Sequence, residues 1–366
     1  MKRKLVAIPD WPVPPLPVAV SECLTGAAVR YDGSDARASF PHAELEGLFS
    51  CVPICPEVGI GMGVPRPPIQ LVRDPDRRAG NPEKPRALGV QDPGVDVTAE
   101  LEAYARARSG QLREVYGYVF MERSPSCGLY SVPVHGADGG GPVHAAGRGA
   151  FAREVCRLHP RLPVEENGRL FEAANRESFL ARVFAFAHWR RLCETALTPA
   201  RLMEFHNRYK YLLMAHSVRH YRKAGRLLGD AGGDGWRAEP DAPPGDKATA
   251  MSGWSECYLD CLMEGLSRPA TRGGHANVLS HLQGYLSRVL AGSARRELAG
   301  TIDAYRRGDV PQAEPLNLLL RRLGECENPY LHNQAYLRVP RTAVGDLRPR
   351  QRPTERSRSP GGKRAF

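Results

Sequence analysis

Short β-branched runs and amphipathic stretches alternate through the first half of the chain. Runs at 18–21, 51–54, 69–72 and 115–121 are short and rich in Val and Ile, and segments such as 40–49 and 97–107 between them carry helical spacing. That alternation predicts an α/β domain with a mainly parallel sheet. From Gly149 onward the period becomes helical, with segments at 150–158, 177–196, 200–228, 255–266, 277–290 and 294–307. Leu202, Phe205, Tyr209, Leu212 and Leu213 fall on one stripe, so an all-α C-terminal helical domain is expected. The boundaries read as a Pro-rich extension over 1–17, an α/β domain over 18–165, an all-α domain over 166–346 and a disordered basic tail over 347–366. Gly, Pro and Asp dominate 229–253, which predicts a mobile loop within the helical domain.

The 366 residues are 42% apolar and 25% charged, a composition of globular proteins. No run nears the roughly 18 consecutive apolar residues of a membrane span. The basic start at Lys2, Arg3 and Lys4 leads into prolines rather than an apolar core, which argues against a signal peptide and for a cytoplasmic protein. The net charge of +11 is unevenly placed. Residues 1–150 hold 16 Lys/Arg against 17 Asp/Glu, residues 151–346 hold 28 against 22, and the tail holds 7 against 1. An anionic partner would therefore meet the second half.

Nine cysteines in a reducing compartment point to thiols or metal ligands rather than disulfides. Cys23, Cys55 and Cys127 each follow a predicted strand, and the carboxyl ends of parallel strands form the ligand crevice of an open sheet. Three thiolates there could hold zinc or an iron–sulfur cluster, or could be buried and unliganded. Cys51, Cys156, Cys193 and Cys326 read as core or surface thiols. Cys257 and Cys261, four apart on a predicted helix, have a spacing that could chelate a metal.

The blocks Ser21–Glu22–Cys23–Leu24–Thr25–Gly26, Val52–Pro53–Ile54–Cys55–Pro56–Glu57 with Gly61–Met62–Gly63–Val64–Pro65–Arg66, and Ser124–Pro125–Ser126–Cys127–Gly128–Leu129 resemble the signature of TudS-type thiouracil desulfidases. The blocks around Phe205–His206–Asn207–Arg208–Tyr209–Lys210, His216, His220, His281 and Tyr330–Leu331–His332–Asn333–Gln334 are similar to the YbgA-type helical domain. The fused arrangement resembles RudS-type desulfidases acting on 4-thiouridine in tRNA. Tyr209 departs from the histidine expected in many relatives.

The resemblance implies a 4Fe-4S cluster with Cys23, Cys55 and Cys127 as ligands, and an enzyme that turns a thiolated uracil into the oxo base by hydrolysis. Glu57 is then the candidate proton-transferring carboxylate, with Asp32, Ser124 and Ser126 as further catalytic candidates. His206, Arg208, Lys210, His216, His220 and Arg222 are the expected RNA-binding set, with tRNA or a thiolated pyrimidine as partner, no membrane and no obligate protein partner. The alternatives are a desulfidase for free thiouracil-type bases and a non-catalytic zinc-bound or cluster-bound nucleic-acid-binding protein.

Overall fold

The computed structural model describes residues 11–73, 84–136, 141–194, 197–232, 244–287, 289–325 and 328–340. The tail over 347–366, residues 1–10 of the Pro-rich extension and Cys326 lie outside them. The strands are β1 (Leu16–Ser21), β2 (Phe49–Ile54), β3 (Ile69–Val72), β4 (Arg86–Gly89), β5 (Tyr118–Phe120), β6 (Val132–His135), β7 (Pro142–Gly147) and β8 (Val164–Glu166). Among them lie the helices α1 (His42–Leu45), α2 (Pro56–Gly59), α3 (Thr98–Ala107), α4 (Ser109–Arg113) and α5 (Ala150–Leu158).

One sheet has the order β2-β1-β5-β8 and is parallel throughout, as the alternating pattern predicts. A second sheet, β4-β3-β6-β7, was not anticipated; its outer pairs are antiparallel and only β3 and β6 run parallel. Of its strands only β3 coincides with an expected run; β4, β6 and β7, four to six residues long, are too short for periodicity to distinguish from loop. Between residues 40 and 49 only α1 is helical, and Phe49 already opens β2. Gly47, at a φ of 70°, turns the chain in a conformation that ends a helix.

Val18, Ala19 and Val20 are fully buried, because β1 is central and covered on both faces. Alternation then splits its side chains between two cores. Leu16, Val18 and Val20 join Phe179, Val183 and Phe184, whereas Ala19 joins Ile54, Tyr118, Phe120 and Phe151. The first group belongs to α6 (Ala173–Glu194), the opening helix of the second half, so this helix covers the sheet of the first half. Gly117 permits that approach, since a Cβ there would stand 2.9 Å from Val183 Cγ2 and 3.2 Å from Phe179 Cζ. Trp11, from the Pro-rich extension, also packs on the helical half, stacked on Tyr209 with ring centroids 6.4 Å apart.

The remaining helices are α7 (Pro199–His216), α8 (Val218–Gly232), α9 (Pro244–Leu266), α10 (Arg272–Leu286), α11 (Gly292–Arg307), α12 (Ala313–Leu323), α13 (Pro329–His332) and α14 (Ala335–Arg338). The helix expected over 200–228 is broken at Ser217, whose backbone is extended and whose hydroxyl meets His220 Nδ1 at 2.7 Å and lies 3.4 Å from the His220 N–H. Serine competes with the helix for local hydrogen bonds and favours such a start. The ends of the segment expected as a loop over 229–253 are helical instead. Helix α8 runs to Gly232 and α9 begins at Pro244, where a first-turn proline forfeits no helical hydrogen bond; residues 233–243 lie outside the described residues. Among the described residues no helix is long and apolar enough to cross a membrane.

Candidate active site

The parallel register sets the site. Ser21 of β1 pairs with Ile54 of β2, so the turns that follow both strands leave the sheet side by side. Cys23 sits in the turn after β1, and Cys55 caps α2, with Pro56 in the helix's first position. Cys127 lies on the loop after β5 and is buried. All three line one cavity of about 480 Å³, together with Glu57, Arg66 and Ser126.

The loop carrying Cys127 is clamped to the start of α5. Ala150 N–H donates to Pro125 O at 3.1 Å, Ala152 N–H to Ser126 O at 3.1 Å, and Gly149 N–H to Gly128 O at 2.8 Å. A Cβ on Gly149 would lie 2.4 Å from the carbonyl carbon and oxygen of Ser126, so glycine is what lets these backbones touch.

The three thiols are free, and burial drives each toward its neutral form. The Cys23 thiol is pushed up to about 11 by burial first and the neighbouring Cys55 second. Cys127 is raised further, by burial and then by Cys55 and Glu57, and Cys55 is raised by burial. Three thiolates this close repel one another, so the charged form needs a bound cation. Among the described residues, no three His, Cys, Asp or Glu side chains meet around a point that could hold a single metal ion. Soft thiolate donors lining one cavity suit a thiophilic centre, zinc or iron–sulfur.

Glu57 anchors the polar wall. Its Oε2 accepts from Arg66 Nε at 2.7 Å, its Oε1 accepts from the Ser126 hydroxyl at 2.5 Å, and Ser126 Oγ lies 3.0 Å from Ser124 Oγ. Ser124 in turn accepts from Cys127 N–H at 3.1 Å, which closes a chain from the carboxylate to the loop of the third thiol. Arg66 is fixed from behind by donating to Gly63 O at 2.9 Å.

Glu57, Ser124 and Ser126 are therefore brought together with the three cysteines, but Asp32 is not. It is fully exposed, accepts from the Ser34 N–H and hydroxyl at 3.0 and 2.6 Å, and is held below the usual carboxylate range by those bonds. Its place is a turn beside the cavity, whose lining includes Arg30 and Tyr31. Cys51 is exposed on β2, away from the cavity. Sequence reasoning assigned no role to Arg66, nine residues after Glu57. It also overlooked Ser21, whose hydroxyl accepts from Met121 N–H at 2.9 Å and bonds to the Cys127 thiol.

The helical half corrects the expected RNA-binding set. His206, His216 and His220 are buried, at 7%, 7% and 2% exposure, and cannot form a solvated basic face. Their ring nitrogens are used internally: His206 with Tyr258 Oη at 3.1 Å, His216 with Arg268 O at 2.6 Å, and His220 with Ser217 and Glu264. Burial, then Lys210, lowers His206 to about 4, so it stays neutral. Arg208 pairs with Glu204, and Lys210 lies 5.4 Å from the ring centres of both Tyr211 and Tyr330. Of the six expected residues only Arg222 is exposed. Tyr209 is a core residue, 3.2 Å from His188 Nδ1 through its hydroxyl. Cys257 is exposed while Cys261 is buried and directs its thiol to His220 O, so the pair does not converge on a metal.

A sheet crevice ringed by cysteines, with a helical domain closing the other face of the sheet, defines a two-domain protein. Residues 18–167 match the model of the 2-thiouracil desulfurase family, and residues 245–340 match that of a protein family of unknown function, DUF1722. The chain is 32% identical over 163 residues to the uncharacterized protein YbgA of Escherichia coli strain K12, covering 44% of this chain and 88% of that protein. It belongs to the YbgA family, with the region matching the 2-thiouracil desulfurase model at 18–167. Among solved structures it is similar to the [4Fe-4S]-dependent thiouracil desulfidase TudS, at 26% identity and a TM-score of 0.31, over 42% of this chain and 93% of that one.

Proposed function

We propose that this protein is a 4Fe-4S-dependent desulfidase that hydrolyses the carbon–sulfur bond of a thiolated uracil, with 4-thiouridine in tRNA as its substrate. The observation that carries the proposal is the single cavity that joins three buried or half-buried free thiols to the Glu57–Ser126–Ser124 chain. The match of residues 18–167 to the 2-thiouracil desulfurase family gives the substrate class.

Cys23, Cys55 and Cys127 would hold the cluster, which when bound would supply a Lewis acid able to draw electron density from a thiocarbonyl sulfur. Glu57 accepts the proton of the attacking water at the free lone pairs of its carboxylate, and Arg66 keeps that carboxylate aimed into the cavity. Ser126, already donating to Glu57, and Ser124 behind it offer a short path for returning a proton to the leaving sulfur. Water adds oxygen at the ring carbon as sulfur departs, so thiocarbonyl plus water gives carbonyl plus hydrogen sulfide, with no net oxidation or reduction.

A base stacked inside folded tRNA must be turned out to enter a recessed cavity, at a cost of a few kcal/mol. Phosphate contacts by a basic helical domain would offset it. Anaerobic incubation with bulk thiolated tRNA, with free thiouracil and with 4-thiouridine nucleoside, followed by nucleoside analysis, tests the proposal. Loss of 4-thiouridine from tRNA with release of sulfide is expected. Turnover of the free base alone would leave a desulfidase with another substrate, and no turnover of any of the three would end the enzymatic reading.

A further inference from the structure

We infer that the outer face of α8 is the surface by which the helical domain holds the phosphate backbone of RNA. The inference rests on the proposed action on tRNA and locates it. Helix α8 turns His220, Ala224 and Leu228 into the core and Arg219, Arg222, Lys223 and Arg226 to solvent. Their spacing puts all four cations on one stripe. Val218 at the start of the helix and the two glycines Gly225 and Gly229 are the other exposed positions, and both glycines have open space where a side chain would stand. The face thus presents charge without bulk, and a phosphate strand can lie close along it.

Acidic compensation is slight. In sequence, α8 carries one acidic residue, Asp230, which lies beyond the stripe, and none from Val218 to Gly229. Across the groove, Glu264 of α9 stands 3.2 Å from His220 and 3.9 Å from Arg268, and Lys223 is the stripe residue whose charge it feels. Four cations on one stripe repel each other in the free protein, and a polyanion removes that repulsion while releasing its own counterions.

Arg222 also lines a second cavity of about 480 Å³ at the start of α10, beside Thr271, Gly273, Gly274 and Asn277. An anion seated by Arg222 would meet the positive end of that helix's dipole. Ala224 and Leu228 of α8 are spent on the core and Val218 is the one large apolar side chain it exposes among the described residues, too little to anchor a lipid surface, so RNA is the polyanion that fits.

The test uses the full-length protein and unmodified tRNA, with binding followed by fluorescence anisotropy across a salt series. One variant carries Arg219→Gln, Arg222→Gln, Lys223→Gln and Arg226→Gln; a control of equal charge carries Arg296→Gln, Arg306→Gln, Arg307→Gln and Arg321→Gln, all exposed elsewhere on the domain. The α8 variant is expected to bind roughly a hundredfold more weakly at physiological salt, with the salt slope reduced by about three to four. The control is expected to stay within a few-fold of the parent. Equal losses in both would reduce the effect to net charge, no loss in the α8 variant would remove α8 as the surface, and tighter binding of the parent to anionic vesicles than to tRNA would replace RNA by a membrane. Sulfide release by the parent from the three thiolated substrates is scored separately. Its absence counts against the desulfidase, whereas release accompanied by an indifferent α8 variant counts against the surface alone.

Discussion

The cavity of the α/β half and the interior of the helical half hold equally conspicuous polar motifs, yet they use them in opposite ways. In the first, Cys23, Cys55, Cys127, Glu57 and Ser126 face one open volume. In the second, His188, His206, His216, His220 and His275 are all buried, and each has a hydrogen-bonding partner inside the fold. Parallel strands end at one edge, so residues just past those ends converge whatever their sequence separation. A helix displays its residues all round, and the same histidine spacing serves a core as readily as a surface. A polar motif in a bundle is therefore a weaker sign of a ligand site than one at a strand end.

The sharpest way to break the comparison is to remove the thiols. Cys23→Ala, Cys55→Ala and Cys127→Ala should each abolish iron and acid-labile sulfide retention together with turnover, whereas Cys51→Ala, on the exposed face of β2, should alter neither. Metal and sulfide analysis of anaerobically purified protein decides this. Stoichiometric zinc without iron would sink the cluster assignment.

A smaller effect separates chemistry from scaffolding within the cavity. Glu57→Gln keeps the size of the side chain and acceptance from Arg66 but cannot take a proton, so turnover should fall by about 10²–10⁴ with iron content and tRNA binding preserved. A fall of only a few-fold, or joint loss of iron and activity, would make Glu57 a brace for the turn after Cys55.

The gentlest test lies in the bundle. Burial, then Arg208, lowers His188 to about 3, and burial, then Lys210, lowers His206 to about 4, both below the ordinary histidine value of 6.5. Each group binds a proton more readily in the unfolded chain, so their contribution is complete above about pH 6.5 and is lost as pH falls toward those values. Denaturant unfolding between pH 7 and 4 should show stability falling by about 1 kcal/mol per pH unit for each such histidine. His206→Gln should make that decline shallower, and an unchanged decline would mean that these imidazoles do not govern it.

The α/β class and the three cysteines were legible in the sequence because β1, β2 and the start of β5 carry the β-branched runs and turn residues that mark strand ends. The helical half was legible as helix, and the stripe Leu202, Phe205, Leu212 and Leu213 was legible as core, whereas the burial of Tyr209 and Tyr211, residues equally suited to stacking on a partner, was decided by the fold. Four matters required the fold. Short strands such as β4 and β6 acquire their identity only from partners distant in the chain. Arg66 gains its role only when the loop after α2 returns it to within 2.7 Å of Glu57. Asp32 and Glu57 look alike as carboxylates near a cysteine motif, and only the path of the turns leaves one in water and the other in the cavity. Likewise, which basic residues of the α7–α8 segment face solvent depended on the break at Ser217, which resets the phase of the second helix and turns Arg219, Arg222, Lys223 and Arg226 outward. Local composition determines which element a segment forms, because propensity and periodicity act within a few turns of chain; which side chains meet is decided by packing between elements, and no local pattern encodes it.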